Sequence, residues 1–319
     1  MNIRATIVIT YFNEKKFLND AVKSALDQKC DCLFDILVVD DGGIIPASEI
    51  IALNMKNNEK VDIIRQENYG LGVARDTGIQ YAKGDYVTFL DADDTIENDK
   101  LSEQLKAIDR YKLTNSVLFT GTKLLPSNKH KWCDLKYQSE DIIDITDEVL
   151  KGKQPSGASM LISKNLYFKV GGFEKNIRRN CEDCLIAKLF AFGAKFFVIP
   201  KPLYIQNERL QSNRHSTKYR LESLDRCLSI SKKYFKHYQK KNYYTVFFKR
   251  RIRSGLKTAI YNRNYKYSVN LITLLWKKRT FKKCEVAFLF TYVIVNIFSF
   301  NLVNKAVGLF HSQFLSQKK

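Results

Sequence analysis

Two spacings of apolar positions alternate along the first 200 residues. Residues 5–10 (ATIVIT) and 35–40 (DILVVD) are short β-branched runs, and between them Phe17, Leu18, Ala21, Val22, Ala25 and Leu26 share one face of a helix over 14–28. Val61–Arg65 predicts a third strand, residues 70–82 a helix, and Tyr86–Leu90 a fourth strand that ends in Asp91-Ala92-Asp93-Asp94. Strands alternating with helices predict a mainly parallel α/β sheet covered on both faces. Such sheets bind ligands at the carboxyl ends of their strands, so Asp40, Asp41 and Asp91 to Asp94 are expected in one crevice.

The pattern then loosens. Ser116–Gly121 predicts a strand, residues 126–155 are polar and expected to be loop-rich, and Gly157–Ser163 (GASMLIS) is strand-like again. Gly171-Gly172-Phe173 marks a turn, Cys181-Glu182-Asp183 opens an apolar helix to about Phe192, and the strand AKFFVIP is expected to close the body at Pro200 and Pro202. From about residue 216 the spacing is helical and the composition turns to Lys, Arg, Tyr and Phe. The chain therefore divides into residues 1–215 and a helical region over 216–319. Residues 286–304 carry no charge and approach the lower length limit for a membrane span, but they include Thr291, Asn296, Ser299 and Asn301. A span, an interfacial helix and a buried helix all fit that run.

Charge separates the same two regions. The chain has a formal net charge of +20, yet residues 201–319 hold 26 Lys+Arg against 4 Asp+Glu. A near-neutral body thus carries a cationic tail, which calls for an anionic surface, either nucleic acid or lipid headgroups. The seven cysteines are scattered, and MNIRATIVITYFNEKK enters a strand without a cleavable apolar segment, so they are read as reduced cytosolic thiols. The pairs Cys30/Cys32 and Cys181/Cys184, with four histidines in the chain, do not offer the grouped ligands of structural zinc.

The chemistry concentrates at the end of the fourth strand. Clustered carboxylates repel one another unless a cation neutralises them, and Asp91, Asp93 and Asp94 suit a hard divalent ion that leaves positions open for phosphate oxygens. The competing reading is a solvated turn, with Asp94 or Thr95 capping the next helix. The surrounding segments decide between them. NYGLGVARDTGIQYAKGDYVTFLDADD (68–94), together with Thr10-Tyr11-Phe12-Asn13-Glu14, Val38-Val39-Asp40-Asp41-Gly42 and Glu182-Asp183, resembles the family-2 inverting glycosyltransferases of GT-A fold, over roughly residues 3–205.

That resemblance implies a set of roles. Thr10, Tyr11, Asn13 and Glu14 look like the nucleotide-side wall, and Asp41 like the carboxylate that recognises the uracil ring and ribose. Asn68, Gly70, Gly72 and Arg75 match the segment that shapes the donor pocket, the glycines allowing close backbone approach. Asp91 and Asp93 resemble the motif that holds Mn²⁺ or Mg²⁺, with Ala92 between them on the donor side, and Asp183 after Glu182 resembles the general base. Gly171-Gly172-Phe173 looks like an acceptor-side turn, a plain helix cap explaining the glycines equally well, and His215 resembles the basic segment near the diphosphate or acceptor in relatives, the other reading being a surface residue. Gly43 and Asp76 depart from the family's usual Ser and Asn. The implied reaction transfers a sugar from a nucleotide diphosphate sugar, a UDP-sugar, to a hydroxyl of a growing or lipid-linked glycan in a single inverting displacement.

Other classes fit less well. A nucleotidyltransferase would show a Gly-rich basic loop after the first strand, and a dinucleotide oxidoreductase a third glycine in register with Gly70 and Gly72. A catalytically silent nucleotide-sugar-binding or nucleic-acid-binding protein remains the alternative. Residues 232–253 interleave cations and aromatics without a nucleic-acid module, a composition that suits an anionic bilayer. No nucleic-acid partner is expected, and the implied location is the cytoplasmic face of the membrane, held peripherally.

Overall fold

A computed structural model describes residues 3–207 apart from 134–140, 176 and 178–180, and beyond them 226–227, 229–234, 256, 268–270 and 273. β1 (Ala5–Tyr11), β2 (Phe34–Asp40), β3 (Val61–Arg65) and β4 (Tyr86–Asp91) run parallel in the order β3-β2-β1-β4. β1 and β2 are buried at every position, which is why both read as mostly apolar runs rather than alternating ones. α1 (Leu18–Leu26) buries Leu18, Ala21, Val22 and Ala25, the stripe its spacing predicts. The short α2 (Ala47–Ile50) and α3 (Leu53–Lys56) lead to β3, and α4 (Leu71–Tyr81) leads to β4.

The chain steps outward from β1 to β3 and then returns to lay β4 on the other side of β1. Loops that leave neighbouring strands in opposite directions open a crevice at that reversal. The register sets its floor: Thr10 lies opposite Asp91, and Tyr11 opposite Asp40.

The second half of the ten-stranded sheet is mixed. After β5 (Thr95–Ile96) and α5 (Lys100–Tyr111) come β6 (Ser116–Leu125), β7 (Lys129–Lys131), β8 (Ile143–Asp144) and α6 (Thr146–Leu150). A 3-10 turn (Gly157–Ser159) precedes β9 (Leu161–Ser163), α7 (Lys164–Lys169), α8 (Cys181–Ala191) and β10 (Lys195–Asn207). β9 pairs antiparallel with both β4 and β6, stitching the halves together, while β10 runs parallel to β6 and takes β5 on its other edge.

Three sequence expectations change here. The segment 157–163 is a turn followed by a three-residue strand, because the Ser156–Ser159 bend leaves the ladder. β10 does not close at the prolines. Its register on β6 shifts between Ile199 and Tyr204, so Pro200 and Pro202 fall in an irregularity that needs no ladder donor, and pairing resumes to Asn207. Cys30 and Cys32 form a disulfide, with Cα atoms 5.2 Å apart on the turn after α1, so the free-thiol reading fails for this pair. Among the described residues no helix is long and apolar enough to cross a membrane. His215, residues 235–253 and residues 286–304 lie outside the described residues. Of the tail, Cys227, Ser231, Leu256 and Ser268 are buried.

Candidate active site

The loop after β4 carries three carboxylates whose ligand atoms lie within 4.8 Å of one another: Asp91, Asp93 and Asp94. It is fixed from two sides. From β1, Thr10 accepts the Ala92 amide at 3.1 Å through its carbonyl oxygen. From β10, the buried Tyr204 hydroxyl donates to Asp94 at 2.6 Å, the Asn207 amide donates to Asp94 at 2.9 Å, and the Asn207 side chain donates to the Asp93 carbonyl at 2.6 Å. Asp94 caps no helix; it is buried on the strand side of the loop. Burial, with Asp91 and Asp93 adding repulsion, pushes its carboxyl up to about 8. A set of hard oxygen donors this close, one of them reluctant to ionise, fits a Mg²⁺ or Mn²⁺ ion.

Behind this loop lies Arg75 of α4, 1 % exposed. Its Nη2 donates to Asp91 at 2.9 Å and its Nη1 to Glu182 at 2.6 Å, while the guanidinium stands 5.2 Å from the Phe89 ring centroid. Burial alone would lower its pKa, but Asp91 and Glu182 outweigh that and raise it, so the charge is permanent. Glu182 responds in kind: burial raises its pKa, and Arg75 more than reverses this, leaving it lowered. The start of α8 is therefore tied to the end of β4 through one buried cation.

Asp183 follows on the same helix turn, 2 % exposed, and accepts from Gln154 Nε2 at 3.1 Å. Gly157 makes room for its neighbour: a Cβ there would lie 2.7 Å from Glu182 Cγ. The Gly171-Gly172 turn is gripped by Lys188, whose Nζ donates to both carbonyls at 3.0 and 2.9 Å. Phe173 reaches Phe89 at 6.3 Å between centroids. Asp76 points to this turn, accepting from Tyr167 Oη at 2.5 Å, and the same hydroxyl accepts the Phe173 amide.

The opposite wall follows β1 and β2. Asp41 holds the next loop by accepting from Gln66 Nε2 and from the amides of Tyr69 and Gly70. Gly70 has φ +91, a left-handed value that suits glycine, and Asn68 beside it is exposed. Asn13 also has positive φ, and its Oδ1 accepts the Ile44 amide, while Glu14 accepts the Phe12 amide. Two readings are corrected here. Tyr11 is 1 % exposed and spends its hydroxyl on the Ile45 carbonyl, so its ring belongs to the core and the half-buried Phe12 is the aromatic on that side. Gly72 makes room for α8 rather than for a ligand, since a Cβ would lie 2.9 Å from Cys181 Cβ.

The model of "Glycosyl transferase family 2" matches residues 6–159, which include Asp41, Arg75 and the Asp91–Asp94 cluster but end before α8 and β10. Over that region the chain is similar to glycosyl transferase family 2. Relatives include an uncharacterised glycosyltransferase of Rickettsia prowazekii, 28 % identical over 196 residues that cover 60 % of each chain. Another, from Haemophilus influenzae, is 28 % identical over 165 residues, 50 % of this chain and 62 % of that one. The glycosyltransferase GlyA of Streptococcus pneumoniae is 33 % identical over 114 residues, 36 % of this chain and 16 % of that one. The chain thus spans about 60 % of the length of the first two relatives and 16 % of the third. Among solved structures, S. aureus TarS 1–349 in complex with UDP-GlcNAc superposes with a TM-score of 0.68 at 16 % identity, covering 85 % of this chain and 80 % of that one. The same protein in complex with UDP gives 0.62, over 79 % and 72 %. The α/β architecture is that of the GT-A fold.

Sequence reasoning found the acids and missed what holds them. Tyr204 and Asn207 lie past the point where the body was expected to close, and Gln154 sits in a segment with no periodicity. Nothing in the spacing points to any of the three.

Proposed function

We propose that the protein transfers a sugar from a UDP-sugar to a hydroxyl of a growing or lipid-linked glycan by a single inverting displacement. The observation that carries this is the Arg75 bridge, which brings the carboxylate loop after β4 and the acidic start of α8 into one crevice. The match to the family 2 model supports the reaction class, and the UDP and UDP-GlcNAc bound in the structural neighbours support the donor class.

Asp91 and Asp93, with Asp94 beside them, would hold a divalent cation that supplies charge neutralisation to the departing diphosphate. Arg75 orients Asp91 and Glu182 and offsets the repulsion between them. Asp183 takes the proton of the acceptor hydroxyl as that oxygen attacks from the face opposite the leaving group. Phe12, Asn13 and the 66–70 loop held by Asp41 form the side on which the nucleotide lies. The cationic tail supports a peripheral position on the inner, anionic membrane surface, where a lipid-linked acceptor is found.

A panel of nucleotide sugars with Mn²⁺ tests the reading by the slow hydrolysis of donor in the absence of acceptor. Release of UDP from one sugar above the others identifies the donor. Equal inertness toward every nucleotide sugar, with no binding of UDP, would overturn it.

A further inference from the structure

We infer that Gln154 is a positioning residue for Asp183, setting the direction and the ionisation of its carboxylate; this rests on the reading of Asp183 as the general base. Gln154 is 29 residues away in sequence, on the loop between α6 and the Gly157–Ser159 turn, and its Nε2 donates to Asp183 Oδ1 at 3.1 Å. Asp183 is 2 % exposed, and a carboxylate that far from water depends on nearby donors for its charged form. Fixing one oxygen also fixes the carboxylate plane, and with it the direction in which the group can receive a proton.

Two observations make this more than a packing contact. The Gln154 carbonyl oxygen is buried and has no hydrogen-bond partner among the described residues. An amide with one end unmet carries a desolvation cost that an apolar residue of the same size would not, so its gain lies at the other end, on Asp183. The loop that carries it is itself fastened. Ser159 Oγ donates to the Ser156 carbonyl at 2.9 Å, and Gln104 Nε2 donates to the Ser159 carbonyl at 3.0 Å. Lys100, fully buried, donates in turn to Gln104 Oε1 at 3.0 Å. Gly157 on the same loop lies under Glu182, so one short segment supports both acids of α8. Gln154 is the end of a rigid chain of contacts from the core to the base, which is the arrangement that orients an acid–base group.

The test compares Gln154→Ala and the nearly isosteric Gln154→Glu with Asp183→Asn in the full-length protein. Hydrolysis of the nucleotide sugar that the wild type cleaves fastest is followed from pH 5 to 9, with UDP binding by calorimetry and a thermal melt on each variant. Losing the donor destabilises the ionised base, so for Gln154→Ala the acid limb of kcat moves up by about one pH unit, with the rate on that limb falling about tenfold and UDP affinity unchanged. A carboxylate at 154 repels the base and moves the limb further. A wild-type pH profile in both variants while Asp183→Asn is inactive would overturn the role of Gln154 alone. So would a rate loss matched by a lower melting temperature with no shift of the limb. An active Asp183→Asn would instead remove the base reading on which the inference stands.

Discussion

Arg75 and Glu182, 107 residues apart in sequence, meet at 2.6 Å behind the loop that carries the clustered carboxylates. The other arm of the same guanidinium reaches Asp91 at 2.9 Å, so one side chain couples the end of β4 to the start of α8. Arg75→Lys offers one point charge where a planar fork serves two carboxylates. Both Arg75→Lys and Arg75→Met are expected to lose at least a hundredfold in transfer rate. Arg75→Met also leaves two acids unpaired and costs about 3–5 kcal/mol of stability, read by urea unfolding.

Asp93→Ala removes one of the three clustered carboxylates while leaving the Arg75 bridge intact. Calorimetry with Mn²⁺ is expected to show at least tenfold weaker binding than the wild type, with the thermal melt unchanged or raised, because like charges near Asp94 are fewer. Asp183→Asn, by contrast, retains the wild-type Mn²⁺ affinity.

Gly157→Ala tests how closely α8 is seated. The added methyl would stand 2.7 Å from Glu182 Cγ and must push that side chain off Arg75. Activity is expected to fall by an order of magnitude or more, at a stability cost of about 1–3 kcal/mol from overpacking. A double variant with Glu182→Ala relieves the clash but leaves the buried Arg75 without one of its two carboxylates, so it regains neither the melting temperature nor the rate.

Lys100 sets a pH dependence of stability away from the crevice. It is fully buried, donates to Thr88 and Gln104, and burial lowers its pKa to about 7 from an ordinary 10.5. Between those values the unfolded chain holds the proton more tightly than the folded one, so stability rises with pH from about 7 to 10.5 and the slope vanishes below 7. Lys100→Met is expected to flatten this rise. Urea midpoints measured at pH 7 and 9 check it.

The cationic tail makes a prediction that salt can dissect. Replacing Lys240, Lys241, Lys249, Arg250 and Arg251 by Gln is expected to abolish sedimentation with anionic vesicles at moderate salt, since each charge contributes about 1 kcal/mol near such a surface. Neutral vesicles serve as the control. Unchanged sedimentation of the variant would refute peripheral membrane attachment through these residues.

Much of the molecule was legible in the residues themselves. The β-branched runs at 5–10 and 35–40 and the α1 stripe follow from local periodicity, and Asp91, Asp93 and Asp183 stand where strand and helix ends predict. Those features depend on neighbours a few positions apart, which a linear pattern records. The partners of the acids were not legible, because Arg75 to Glu182, Gln154 to Asp183 and Tyr204 to Asp94 span 107, 29 and 110 residues. Hydrogen bonds of that separation arise only when the sheet has stacked its strands and the helices have found their faces. The same closure buried Tyr11 and spent Gly72 on Cys181, turning two residues that looked poised for a ligand into parts of the core. The chain by itself determined which acids are present; packing decided which of them share a cation, a donor and a crevice.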